Sequence, residues 1–392
     1  MHDREFCSVK VAKEGNKLVI ISIFTGPWLP VPAVQGGSIP RRWQGLAEKF
    51  VAKGHQVTIL CRSYPKQPQQ EVINGVNYVR WGGFPQSTNI WWDLLKDLTY
   101  ALISFPRLPA ADILVINDFW LPVFATLQPY VGQVVINCAR FPKGQYWLYG
   151  KVDRFYAVSN AIKEAILKEY PPANNRLKVI PNPVNTDVFF PPTQPKLKQG
   201  EEIILYVGRI HPEKGIHLLL DAFSILSRQI PRVKLKIIGP IKENQGGGGG
   251  NYLYTLQNKV EGLNVEFVEP IFDIHKLAEA YRQADLFCYP SLAEKGESFG
   301  VAPLEAMASG LVPIVSDLAC FRDFIDEGET GYFFDHRSNN ASHKLSDTLL
   351  TAISNSDKNY QMSLKAAQKA LFFNYEQIAK FYLDDFAKIR KI

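Results

Sequence analysis

The chain has 392 residues, 46% of them hydrophobic and 21% charged, which is too long for one ordinary core and fits two globular domains. No apolar run approaches the roughly 20 residues that cross a bilayer. The net charge of +6 is small for this size, and no nucleic-acid partner is expected. The five cysteines are scattered and form no CxxC pair, which argues against a disulfide framework or a structural zinc site and points to a reducing, cytoplasmic setting. The opening MHDREFCSVKVAKEGN has no apolar core and no cleavage site, so it reads as a lead-in to the first strand rather than an export signal. The charge is uneven: residues 1–181 hold 21 Lys and Arg against 12 Asp and Glu, and all seven Trp lie between Trp28 and Trp147. A basic, Trp-rich first half suits peripheral contact with anionic lipid at the inner face of a membrane, although ordinary solvated charge and core Trp explain it as well.

In chain order, KLVIISIF (17–24) is a short apolar run of the kind found in buried parallel strands. After the loop TGPWLPVPAVQGGS, Trp43, Leu46, Ala47, Phe50 and Val51 recur at helical spacing, with Gly54 as the stop. Strands follow at 56–62, 76–81, 112–118 and 133–138. This alternation predicts a doubly wound sheet. IPNPVNTDVFFPPTQP (180–195) has five prolines and neither periodicity, which marks a boundary. The pattern then restarts with strands at 202–208, 233–239, 265–269, 285–290 and 312–317, and helices at 215–229, 275–283 and 301–308. Two α/β domains are expected, 1–185 and 186–370, and 371–392 forms a helix that packs back on the first. QGGGGGN (245–251) lacks the Lys-Ser/Thr that ends a P-loop and reads as a flexible surface linker. No strand is followed by GxGxxG, which removes the main support for a dinucleotide dehydrogenase.

Three constellations carry chemistry. Glu297 and Glu305 bracket Ser298-Phe299-Gly300-Val301, and Pro303 suits a first helical turn. Backbone N–H groups at that helix start favour an anion, and two carboxylates can accept from two sets of hydroxyls. Arg209 follows a strand's C-terminal end, where open α/β sheets bind ligands. Together with Lys214 and Gly215 at the next helix start, it forms a diphosphate clamp able to take up leaving-group charge. Gly36-Gly37-Ser38 reads either as a turn with Ser38 capping the helix or as a phosphate-facing loop.

With YAVSNAIKE, IPNPVNTDVF, VGRIHPEKG, QADLFCYPS, ASGLVPIVSD and GETGYFF in order, the chain resembles a family 4 retaining glycosyltransferase of the GT-B fold, in which two Rossmann-like domains face across a cleft. The resemblance implies transfer of a hexose or N-acetylhexosamine from a nucleotide-sugar, a UDP-sugar by preference, to a glycan or lipid-linked acceptor, as in polysaccharide or cell-envelope synthesis. Glu305 would then bind the ribose and Glu297 the transferred sugar. Arg209 and Lys214 would hold the diphosphate in place of a metal, with no cofactor. The backbone of Phe299, Gly300 and Val301 would touch sugar and phosphate, Gly36 and Gly37 would border the phosphates from the other domain, and Gly239 would lie near the base. Many members place a histidine near the reacting carbon, where this chain reads VVINCARFPKGQ. Here Asn137, Cys138 or Arg140 occupies that neighbourhood, and Arg140 and Lys143 are the expected cleft-facing groups. A phosphorylase or nucleotide-sugar hydrolase on the same fold, or a non-catalytic nucleotide-binding partner, are the competing readings.

Overall fold

A computed structural model describes residues 18–34, 36–87, 89–192 and 200–390. The opening lead-in and the end of the proline-rich segment lie outside the described residues. The first sheet comprises β1 (Ile20–Phe24), β2 (Gln56–Cys61), β3 (Gln70–Ile73), β4 (Val76–Arg80), β5 (Ile113–Ile116), β6 (Gln133–Cys138), β7 (Arg154–Ala157) and β8 (Leu177–Val179). Its order is β3-β4-β2-β1-β5-β6-β7-β8, parallel except for the β3–β4 hairpin. Helices α1 (Ser38–Ala52), α2 (Ile90–Ser104), α3 (Leu121–Ala125) and α4 (Asn160–Glu169) accompany it.

The central strands are apolar on both faces because helices cover both. Ile21 and Ile23 of β1 and Ile113 and Val115 of β5 join one core cluster with Trp43, Leu46, Ala47 and Phe50 of α1. Their neighbours Phe24, Leu114 and Ile116 point the other way, into the cluster that includes Tyr100 and Ala101 of α2. The helical stripe in α1 is therefore what covers β1, with Val51 at its half-buried margin.

The second sheet runs β11-β10-β9-β12-β13-β14 and is parallel throughout. It is formed by β9 (Glu202–Val207), β10 (Val233–Ile238), β11 (Val265–Val268), β12 (Leu286–Tyr289), β13 (Val312–Ser316) and β14 (Tyr332–Phe334). The helices among and after these strands are α5 (Ile216–Ser227), α6 (Gly249–Lys259), α7 (Ile274–Gln283), α8 (Val301–Ala308), α9 (Ala341–Ser354), α10 (Ser356–Ala370) and α11 (Tyr375–Ile389).

The chain crosses between the sheets twice, and the crossings touch: Val184 N–H donates to Phe373 O (2.8 Å), and Val184 bridges Asn374. Arg42 of α1 ties them further, donating to Asn182 Oδ1 (2.8 Å) and to the Tyr382 hydroxyl. Helix α11 lies against α1 through Trp43–Tyr382 and Phe50–Phe386 ring contacts. Its buried Asp385 accepts from the Tyr156 hydroxyl (2.8 Å) and pairs with Arg154 and Lys178.

Two local expectations are corrected. The glycine run is no linker. Gly248 N–H donates to Ile210 O and Gly249 N–H to Ile241 O, after which Gly249 begins α6. Close backbone packing requires glycine at one position of the run, since a Cβ on Gly247 would stand 2.2 Å from Ile241 O. Ser38 is not the cap of α1 either; Gly37 holds that position, with no side-chain hydrogen bond.

Candidate active site

The C-terminal ends of both parallel sheets face one another, and a cavity of about 760 Å³ opens between them. From the first half it is lined by Gly37 and Arg41, at and one turn beyond the start of α1; from the second by Gly208, Tyr289, Val301 and Glu305. Glu305 is buried although it is charged at neutral pH in water, because helix α8 carries its apolar neighbours Leu304 and Ala306 into the core. Burial raises its pKa, while Arg41 and the Tyr281 hydroxyl pull it back. Tyr281 donates to Glu305 at 3.0 Å, and Arg41 Nη1 stands 3.9 Å away, reaching over from the opposite sheet.

Glu297 is also buried, and its Oε2 accepts from Lys214 Nζ at 2.7 Å. Lys214 is itself only 5% exposed and lies 5.7 Å above the Tyr289 ring. An ion pair this enclosed is costly to desolvate and strongly disfavours loss of either member. Arg209 donates to Gly246 O (2.9 Å) and pairs with Glu213, which also stands 3.9 Å from Lys214. The two cations thus meet at Glu213, and each carries a carboxylate that a phosphate group can replace.

Ser298 and Gly300 lead into α8. Gly300 is its N-cap with φ 88°, and a Cβ there would come within 2.4 Å of the Phe321 ring. Left-handed backbone and a packed aromatic together require glycine at this point, independent of ligand approach. The Phe299 side chain is core, against Phe324 and Phe373, which leaves only its backbone for a ligand. Gly36 faces the second half, where its Cβ position lies 3.5 Å from Phe272. Gly239 marks a close crossing of strand ends: a Cβ would fall 1.7 Å from Gly208 O.

Glu297 opens on a second, smaller cavity of about 280 Å³, shared with Phe141 and Lys168 from the first half and Cys320 and Arg337 from the second. From the loop ARFPKGQ the structure brings Phe141 there; Arg140 and Lys143 are exposed and line neither cavity. Asn137 is buried, and its Nδ2 donates to Asn117 Oδ1 (2.7 Å), which also accepts from Trp43 Nε1 (2.6 Å). Sequence reasoning missed Arg41, Glu213, Tyr281 and Phe141. Only Arg41 had a legible signal, one helical turn beyond Gly37.

Comparison with known proteins agrees with this fold. Residues 39–188 match the model described as Glycosyltransferase Family 4, and residues 191–369 the model for Glycosyl transferases group 1. The spore coat protein SA of Bacillus subtilis is 25% identical over 94% of this chain and 100% of its own length. A phosphatidyl-myo-inositol mannosyltransferase of Mycobacterium tuberculosis is 27% identical over 73% of this chain and 76% of its own. Among solved structures, sucrose-phosphate synthase from Thermosynechococcus elongatus superposes with a TM-score of 0.74 at 21% identity, covering 94% of this chain and 99% of that one. An Anabaena protein in complex with UDP and glucose gives 0.70 at 17% identity, covering 94% and 100%. The fold and site define a glycosyltransferase of two Rossmann-like α/β domains. The chain belongs to family 4 of the glycosyltransferases, with the GT-B fold.

Proposed function

We propose that this enzyme moves a hexose or N-acetylhexosamine, with retention, from a nucleoside-diphosphate sugar, a UDP-sugar first, to a glycan or lipid-linked acceptor. The observation that carries the reading is the meeting of Glu305, the α8 N-terminus, Arg41 and Gly37 on one cavity. A buried carboxylate with one hydroxyl partner has acceptor capacity left for ribose hydroxyls. Glu297 would hold hydroxyls of the sugar. The diphosphate would displace Glu213 from Arg209 and share Lys214 with Glu297, beside the N–H groups of Phe299, Gly300 and Val301.

In the transfer step the acceptor oxygen bonds to the anomeric carbon as the bond from that carbon to phosphate oxygen breaks, on the same face. The acceptor proton passes to the departing phosphate, so the step needs no protein base. The cations stabilise the charge that forms on that phosphate. The named relatives support the donor and acceptor classes: one binds UDP and glucose, another is a mannosyltransferase acting on a phosphatidylinositol. On this reading residues 1–185 present the acceptor, 186–370 the donor, and 371–392 returns to the first unit.

The test is incubation with UDP- and GDP-sugars and candidate acceptors, following nucleoside diphosphate release and the anomeric configuration of the product by NMR. Acceptor-dependent release with retained configuration is expected. Turnover that requires inorganic phosphate would make the enzyme a phosphorylase; release indifferent to every acceptor would make it a hydrolase.

A further inference from the structure

Helix α2 is amphipathic with its faces reversed. Asp97, Tyr100, Ala101 and Ser104 point into the protein, while Trp91, Trp92, Leu95, Leu102 and Ile103 are exposed. The outward residues follow helical spacing and form one continuous stripe. Trp91 is 77% exposed and Trp92 60%, an arrangement that costs hydration free energy unless something covers it. The inner face of the helix is held by the segment that follows β5. Trp120 Nε1 donates to Leu94 O (3.1 Å), and the Phe119 and Trp120 N–H groups donate to the Asp97 carboxylate. Phe119 O in turn accepts from Tyr149 (2.8 Å), in the 3-10 turn Tyr146–Tyr149 that presents Trp147, 67% exposed.

The charge around this patch selects its occupant. The acidic residues of 90–153 are Asp93, Asp97, Asp112, Asp118 and Asp153, and each is engaged or turned inward. Asp93 pairs with Lys96, Asp112 with Arg390, and Asp153 accepts from Val134 N–H. Asp97 and Asp118 are enclosed, and burial raises the pKa of both. Arg107, Lys143 and Lys151 remain exposed. An apolar stripe with interfacial tryptophans, on a first half whose residues 1–181 hold 21 Lys and Arg against 12 Asp and Glu, matches an anionic bilayer surface, where indole sits at the headgroup level and cations add attraction. Among the described residues no helix is long and apolar enough to cross a membrane, so the contact is one of lying on the surface.

We propose that the outward face of α2 docks the enzyme on an anionic lipid surface. This rests on the lipid-linked acceptor in the proposed function: docking by the acceptor-side half would leave the cleft to meet a headgroup-bound glycan.

The test is co-sedimentation of the full chain with vesicles of phosphatidylcholine alone or mixed with phosphatidylglycerol, alongside a nucleotide thermal shift on the same samples. Binding to the mixed vesicles is expected, weakened on the order of tenfold or more by Trp91→Ser/Trp92→Ser and by Arg107→Glu/Lys151→Glu. The thermal shift should be unchanged, which shows that the variants fold. Wild-type affinity in both variants, no binding to either vesicle, or equal binding to both would overturn the proposal. So would a wild-type dimer in sedimentation velocity that the tryptophan variant dissolves, since the occupant would then be a second copy. Vesicle binding is read without turnover and the nucleotide shift without lipid, so a failure here is distinct from a failure of the glycosyltransferase reading.

Discussion

Lys214 and Glu297 sit 83 positions apart in sequence and 2.7 Å apart in space, buried together, so the two are mutually dependent. On the proposed mechanism, Lys214→Ala would remove charge stabilisation at the leaving phosphate and should lower kcat/KM by about 2–4 kcal/mol of transition-state energy. It also strands a buried carboxylate and should lower Tm. The double variant Lys214→Ala/Glu297→Gln should recover Tm but not turnover; equal Tm in single and double variants would contradict the pairing.

Glu305 poses the opposite case. Its folded pKa is raised by burial, so ionisation costs the folded state more than the unfolded one. That penalty is absent at low pH, grows as pH climbs past 4.5, the value outside the fold, and levels off above the folded pKa. Glu305→Gln should therefore be more stable than wild type at neutral pH, with the gap closing on acidification, and should bind nucleotide more weakly. Thermal melts across pH check this. The two glutamates were legible in sequence because both flank one helix start. Arg41 was legible only by its place one helical turn beyond Gly37; its partner belongs to the other sheet, and no local spacing encodes that pairing. Arg140 and Lys143 drew attention as cations in a polar loop, yet the fold turns Phe141 toward Glu297 instead.

At the scale of elements, buried parallel strands were read well because each is an apolar run beside an amphipathic helix. The runs RFYA and LKV of β7 and β8 are too short and mixed to stand out. Helix α2 escaped notice for a different reason: periodicity reports that a helix has two faces but not which one the protein covers. The glycine run misled because composition alone suggests flexibility, whereas its backbone is held by Ile210 and Ile241. The docking of α11 depends on Asp385, which gathers Tyr156, Arg154 and Lys178 from the first sheet. Asp385→Ala should cost about 3 kcal/mol and lower Tm by several degrees, with nucleotide affinity unchanged. A loss of affinity at full stability would instead tie α11 to the site.

For the whole molecule, two sheets present their C-terminal edges to a shared cleft, and contacts such as Arg41 with Glu305 and Asn160 with Asp323 span it. The nucleotide should bind the assembled cleft and not the unfolded chain, which predicts stabilisation of about 2.7 kcal/mol at a hundredfold excess over Kd. Whether the cleft takes a nucleoside diphosphate at all is the central question, and calorimetric titration of UDP, GDP and their sugars into wild type and Glu305→Gln addresses it most directly. The account predicts one-to-one binding to wild type and affinity reduced on the order of tenfold or more in the variant, as expected for a lost hydrogen bond to a charged group. Absence of binding by every nucleotide, or equal affinity in the two proteins, would contradict it.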